Sequence, residues 1–332
     1  MKRQLLSLTR TSVLAATCAA VPAMAADAAP AQTAPRFEAA APAAEGPAPM
    51  ARNLESTRRA VRSSAEWLAR HLDGWFGDTP FEDGGSVTDG RLSVDLLHRE
   101  DTGAKATLRF NARLRLPNVE RNAYLLIGRD NERDVVTDSP GTLSRQQRLV
   151  AERRDEQKFF AGLGVVLDAI DLRIGLRGGL KVYAQARYRK AWELGDADRV
   201  DFRQTAFWTL DDRLGSTTAL SYEHAWSPTL ATRWLNAATI TQRTGKFELS
   251  SVLGAYKLMG PDRVLSLEAL ALGRQGSGVD LTDYGLRVRW QQPVHQDWLV
   301  GDLIVGQFWP RPDAASVRER AWAIGAGLMM KF

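Results

Sequence analysis

The residues of this chain that could do chemistry are four histidines, one cysteine and a long series of arginines. Histidine is the usual acid–base group near neutral pH. His71 falls in a helical stretch and His295 beside the turn Gln292-Pro293, which leaves His98 and His224. The stretch "LSYEHAW" brings Ser221, Glu223 and His224 together in sequence. Consecutive side chains on a strand point to opposite faces, however, so His224 is turned away from the other two. It shares the face of Tyr222 and Trp226, as an interfacial residue would. His98 lies close to Glu100 and Asp101, an acid–histidine pair with no nucleophile motif beside it. No spacing suggests a metal-ligand cluster, a phosphate loop or a redox motif. The chain reads as a protein that is not an enzyme, with no cofactor and no metal.

The arginines are more informative. Arg109, Arg113 and Arg115 alternate with apolar residues in "AKATLRFNARLRL"; Arg173 and Arg177 do so in "DLRIGLR". Lys181, Arg187, Arg189, Arg203, Arg287 and Arg289 continue the pattern further on. A period of two puts each set on one face of a strand. Guanidinium groups held there recognise carboxylates and phosphates. Acids on the same faces, Asp201, Glu248 and Asp283, leave a second reading open, in which the cations serve solvation and cross-strand ladders.

The elements that must position these cations are strands. Alternation runs from residue 91 to the end, for example Phe202, Ala206, Trp208 and Leu210 opposite Asp201, Arg203, Thr205 and Thr209. Turn signals such as Pro117-Asn118, Gly195-Asp196, Asp211-Asp212 and Gly260-Pro261 separate the runs. About fourteen strands are predicted: 91–99, 104–116, 119–129, 156–167, 170–177, 179–193, 199–210, 215–227, 229–243, 245–258, 262–274, 281–292, 297–309 and 317–332. The split at Arg177-Gly178-Gly179 decides the count, since alternation passes through it unbroken; twelve strands is the alternative. An uninterrupted strand there would far exceed the roughly 9–11 residues a tilted spanning strand needs.

Ahead of the strands the texture differs. Lys2, Arg3 and Arg10 flank a short apolar run and the small-x-small site Ala23-Met24-Ala25, the pattern of a cleavable secretory leader over 1–25. The single cysteine, Cys18, lies within it, so no disulfide is expected. Three of the positive charges behind the formal net +5 belong to that leader, which leaves +2. The sequence pI near 9.5 is therefore no argument for nucleic acid. Residues 26–50 are rich in Ala and Pro, a disordered linker by composition. Residues 51–90 hold a helix and connector, with Leu54, Val61, Leu68, Leu72 and Trp75 on one stripe and five arginines mostly off it. That helix is predicted to pack on its own barrel, on a periplasmic partner through 51–76, or on an anionic membrane face.

Residues 91–332 could be a soluble sandwich or a membrane barrel, since both alternate. Mean hydropathy of −0.28 fits a membrane barrel as well, because every second residue of a barrel strand is polar. Aromatics cluster at strand ends (Trp192, Trp208, Tyr222, Trp226, Trp290, Trp298, Trp309, Trp322), where interfacial girdles sit. The polar face is densely charged, which suits a wet lumen. The last strand places Trp322, Ile324, Leu328, Met330 and the terminal Phe332 on one face. It resembles the C-terminal signature of Gram-negative outer-membrane barrels, read by their assembly machinery. The helix, "WFGD" and "RLRLPNVER" layout also resembles a group of proteobacterial outer-membrane proteins.

The expected fold is thus all-β: an antiparallel transmembrane barrel preceded by a short periplasmic amphipathic helix. The resemblance implies the cell outer membrane as location, with lipid and the barrel assembly machinery as partners. The arginine-rich interior implies a channel for small hydrophilic, preferentially anionic solutes. The alternatives are a structural or export component that binds a periplasmic or surface partner and, at the outer rim near His98, a lipid hydrolase. The charged loop 130–155 is expected outside, where it folds inward as a constriction, covers a surface epitope or dangles.

Overall fold

The computed structural model describes residues 49–73, 86–115, 122–140, 149, 156–276, 278–311 and 317–332. The predicted leader with Ala23 and Ala25, most of the predicted linker, and Trp75 lie outside the described residues.

Fourteen antiparallel strands close into one barrel. They are β1 (Ser86–Arg99), β2 (Gly103–Arg115), β3 (Ala123–Asn131), β4 (Gln157–Leu167), β5 (Ile170–Arg177), β6 (Lys181–Glu193) and β7 (Asp198–Thr209). The second half comprises β8 (Arg213–Ser227), β9 (Leu230–Thr241), β10 (Glu248–Leu258), β11 (Val264–Gln275), β12 (Val279–His295), β13 (Leu299–Phe308) and β14 (Ala321–Lys331). Each strand pairs with its neighbours in sequence, and β14 returns to β1 in a register running from Arg91↔Lys331 to Arg99↔Ala323. Closure leaves no sheet edge, the condition for crossing lipid with strands. An even strand number puts both ends of the barrel on one side.

The disputed split at Arg177-Gly178-Gly179 is a hairpin. Gly178 (φ 24°), Gly179 (φ 77°) and Leu180 (φ 66°) all take positive φ, which the two glycines accept at little cost. Face parity survives because the turn has three residues. Leu172, Ile174 and Leu176 on β5 and Val182 on β6 all project outward and are exposed.

The outer wall carries the apolar half of the alternation. Leu96, Leu108, Ile174, Leu220, Leu253, Leu267, Leu286 and Val305 are all exposed there. In water such a surface would be an aggregation hazard; as a band around a closed barrel it is the lipid contact. Trp192, Trp208, Tyr222, Trp226 and Trp322 belong to this outer face as predicted. Trp298, by contrast, is buried at the turn between β12 and β13.

Helix α1 (Pro49–Asp73) packs on the outside of this wall. Leu54, Val61 and Ala65 cover Ala112, Leu114, Leu125, Ile127, Met330 and Phe332. Arg58 donates its Nε–H to the Lys331 carbonyl at 3.2 Å and lies 5.1 Å over the Trp298 ring. Of the three predicted docking modes the described stripe residues take the first, on their own barrel. Leu68 and Leu72 fall within α1, but their side chains are not among the described ones. This contact corrects one expectation: Met330 and Phe332 face outward yet are buried beneath α1 instead of meeting lipid, at 7% and 9% exposure. Phe332 stacks on Phe110 with ring centroids 6.0 Å apart.

The start of β1 was also misplaced. Strand β1 begins at Ser86, five residues before the predicted start, where the clean alternation of apolar residues has not yet begun. Gly90 is required there because the Phe332 ring lies against its Cα, where a Cβ would collide with it. A register shift between Val87 and Asp89 absorbs the irregularity.

Candidate functional site: the barrel lumen

The interior divides into a packed side, a plug and an open cavity. The packed side lies against β10–β14 and β1. Leu97, Val252, Leu270, Ile304 and Phe308 form a buried cluster there. Arg287 and Glu268 sit within this side as a buried pair, Nε to Oε2 2.5 Å, and Tyr256 donates its hydroxyl to Glu268 at 2.6 Å. Two cross-strand registers place them, Glu268↔Arg287 and Tyr256↔Ser266.

The plug is the described part of the 130–155 loop, which folds inward. Helix α2 (Glu132–Thr137) is capped by Asn131, whose side chain accepts from the Arg133 and Asp134 amides. Val136 is buried against Tyr183 and Phe207. Leu149, fully buried, joins the packed side, and its carbonyl accepts from Arg99 at 3.3 Å. Charge fastens the plug to the wall: Glu132 to Arg177 at 2.5 Å, Arg133 to Glu248 at 2.6 Å, and Asp138 to Arg187 at 2.5 Å. Gln185 on β6 donates to the Val136 carbonyl at 2.7 Å. The helix ends at Asp138 in the left-handed region (φ 52°, ψ 44°), which Asp tolerates better than most side chains. Of the three fates open to this loop, the inward constriction is the one observed for its described residues.

At the rim, Arg177 also reaches Asp211, and Lys181 donates to the same carboxylate at 2.9 Å. The Lys181 ammonium, with Arg177 and Arg243 nearby, holds the Asp211 carboxyl below the usual carboxylate range.

Beside the plug lies a cavity of about 1060 Å³. Eight arginines and one lysine line it against four aspartates, so the lining is strongly cationic.

The predicted lumen cations all belong to inward-facing registers, but they differ in what they touch. Arg109 is held by Asp95 and, at 3.2 Å, by Asp130. Arg113 stacks over the Tyr124 ring at 3.5 Å, and Arg173 joins Tyr124 (2.6 Å) to Asp171 (2.8 Å). Arg187 and Arg203 both reach Asp138, and Arg289 lies 3.4 Å from Asp302. Arg287 is enclosed in the packed side. Arg115 is exposed at the end of β2. Arg189 lines the cavity and makes no ion pair among the described residues. Much of the interior charge is therefore laddered with acids, and an open subset faces the cavity.

Sequence reading missed Arg233, Asp138 and Asp171. Asp171 was legible, because it shares its face with Arg173 two residues on. Arg233 was obscured by β9, where polar Asn236 interrupts the outward face. Nothing local marks Asp138 as a lumen residue, since its place depends on the loop folding inward. His224 sits on the outer face as read, 4.5 Å from the Trp226 ring, and His98 also faces outward, 5.2 Å from the Trp322 ring. His224 also contacts Asp198 at 2.7 Å, with Tyr222 on the same carboxylate.

No protein-family model and no curated protein matches the chain. Solved structures similar to it include an outer-membrane-expressed OmpT of Vibrio cholerae, at 12% identity over 75% of this chain and 98% of that one, with TM-score 0.43. A bacterial polysaccharide outer membrane secretin shows 13% identity over 74% and 98%, TM-score 0.42. A KdgM porin shows 7% identity over 72% and 99%, TM-score 0.34. All three likenesses are distant.

Proposed function

We propose that the protein is an outer-membrane channel for small hydrophilic solutes that favours anions. The observation that carries this is the cationic cavity beside the plug. Fixed guanidinium groups along low-dielectric walls raise the local concentration of anions and repel cations. A fourteen-strand barrel is wider than its own side chains can fill, and here the inward loop takes up part of the remainder. Export by the 1–25 leader, the linker at 26–50, and handling by the barrel assembly machinery through the Phe332 strand belong to the same reading.

The export-component alternative has α1 gripping a periplasmic protein and the 130–155 segment binding at the surface, where the described part of that segment instead folds inward. The barrel already occupies Leu54 and Val61, so such a partner would have to use the opposite, arginine-bearing face. For a lipid hydrolase the outward direction of His98, against Trp322, offers no support.

Liposome swelling tests the proposal. Vesicles reconstituted with the full chain should admit small carboxylates faster than neutral sugars of similar size. Equal rates would remove the anion preference, and no swelling with any solute would remove the channel.

A further inference from the structure

The cavity wall formed by β6, β7 and β9 contains a cross-strand pair that ordinary sheet energetics disfavours. Arg189 on β6 stands directly opposite Arg203 on β7. Like charges in that position repel unless an anion lies between or beside them. Arg233 on β9 lines the cavity with them, and Arg187, on the same face of β6, is buried behind the lining. Their described acidic company is limited. Asp171 is shared between Arg173 and Arg187, at 2.8 and 3.5 Å. Asp201, the next acid along β7, is engaged by Arg199 at 3.1 Å. Glu223 stands opposite Arg233 in register without an ion pair. Asp130 and Asp134 also line the cavity, Asp130 against Arg109 at 3.2 Å, and the carboxylate that reaches this wall is Asp138. It accepts from Thr205 at 3.2 Å and meets Arg203 at 3.2 Å and Arg187 at 2.5 Å.

Asp138 is not part of the wall. It belongs to the plug, held in by these contacts and by Val136, with its backbone in the left-handed region. Its carboxylate thus stands where a soluble oxyanion would bind, on the edge of a cavity with room for one. Arg233 Nε has no hydrogen-bond partner although it is enclosed.

We infer that Arg187, Arg189, Arg203 and Arg233 form an oxyanion-binding site, that Asp138 is its tethered internal occupant, and that an incoming carboxylate- or phosphate-bearing solute competes with Asp138 for Arg203 and Arg187. This rests on the channel reading above and adds to it a saturable site and a competitor built into the plug. A solute that displaces Asp138 also detaches the C-terminal end of α2 from the wall, which couples binding to widening of the passage.

The test is calorimetric titration of the full chain in detergent, at low salt, with inorganic phosphate and separately with citrate. The two arms distinguish a phosphate-bearing from a carboxylate-bearing solute. At least one probe should bind saturably. Arg203→Gln and Arg189→Gln should each weaken it about tenfold, the scale of one charge-assisted hydrogen bond. Asp138→Asn should strengthen it, because the competitor has lost its charge. Heat-modifiable migration on gels checks that each variant is folded, and exposed Arg189 gives a variant with little structural role. If Asp138→Asn weakened binding as Arg203→Gln does, Asp138 would be framework and the inference would fall. Absence of saturable binding to both probes would also overturn it. An anion-favouring zero-current potential in that case would leave the channel reading standing.

Discussion

Arg287→Met should be among the most destabilising single changes in the barrel. The Arg287 side chain is fully buried and that of Glu268 is 3% exposed, with 2.5 Å between Nε and Oε2. Removing one member of such a pair leaves an uncompensated charge, at a cost of about 3–5 kcal/mol. Tyr256 still donates to Glu268 in the variant, which favours the lower end of that range. The double variant Arg287→Met/Glu268→Leu removes both charges and replaces them with apolar volume, so it should recover most of the loss. Equilibrium urea unfolding in lipid vesicles, followed by tryptophan fluorescence, measures both. A loss below about 1 kcal/mol for Arg287→Met would be the value of an exposed pair. That result would mean water reaches Arg287, and the division into a packed side and an open cavity would be wrong.

Three further outcomes are expected. Val136→Asp places a charge between Tyr183 and Phe207 and should release α2, raising single-channel conductance; unchanged conductance would show that the plug is not the constriction. Gly90→Ala should lower the thermal midpoint in the parent chain but cost far less beside Phe332→Ala, because the clash is with that ring; equal losses in both backgrounds would refute the contact. Asp211→Asn should lower the midpoint slightly at neutral pH, since the pair it breaks is partly exposed. The Asp211 carboxyl is depressed in the folded protein, so its contribution is present above the unfolded value of about 3.9 and is lost as pH falls through the lower folded one. Parent and variant should therefore converge in strong acid, and a gap that persisted there would place its origin elsewhere.

The barrel was legible because alternation and turn residues are local signals, and closure adds only pairing between neighbours. The hairpin at Gly178-Gly179 illustrates the limit: nothing in the face pattern marks it, and strand length had to decide. Long-range contacts were hidden. The reason for Gly90, the ring of Phe332, lies 242 positions away in the chain. Burial of Met330 and Phe332 depended on where α1 docks, which a helical stripe alone does not specify. In the lumen, period two identified which cations face inward. It could not separate Arg287, buried with Glu268, from Arg189, open to the cavity, because that depends on what stands opposite across the barrel. The loop's inward path had only Val135-Val136 and Leu149 as clues, apolar residues in a segment otherwise dominated by charge.

The zero-current potential of the purified full chain in a planar bilayer, under a potassium chloride gradient, tests the central claim most directly. The cationic cavity predicts a potential of the sign set by chloride, reduced when Arg189 and Arg233 are both changed to Gln. A potential of the sign set by potassium, or one the double variant leaves unmoved, would contradict the assignment of selectivity to these residues.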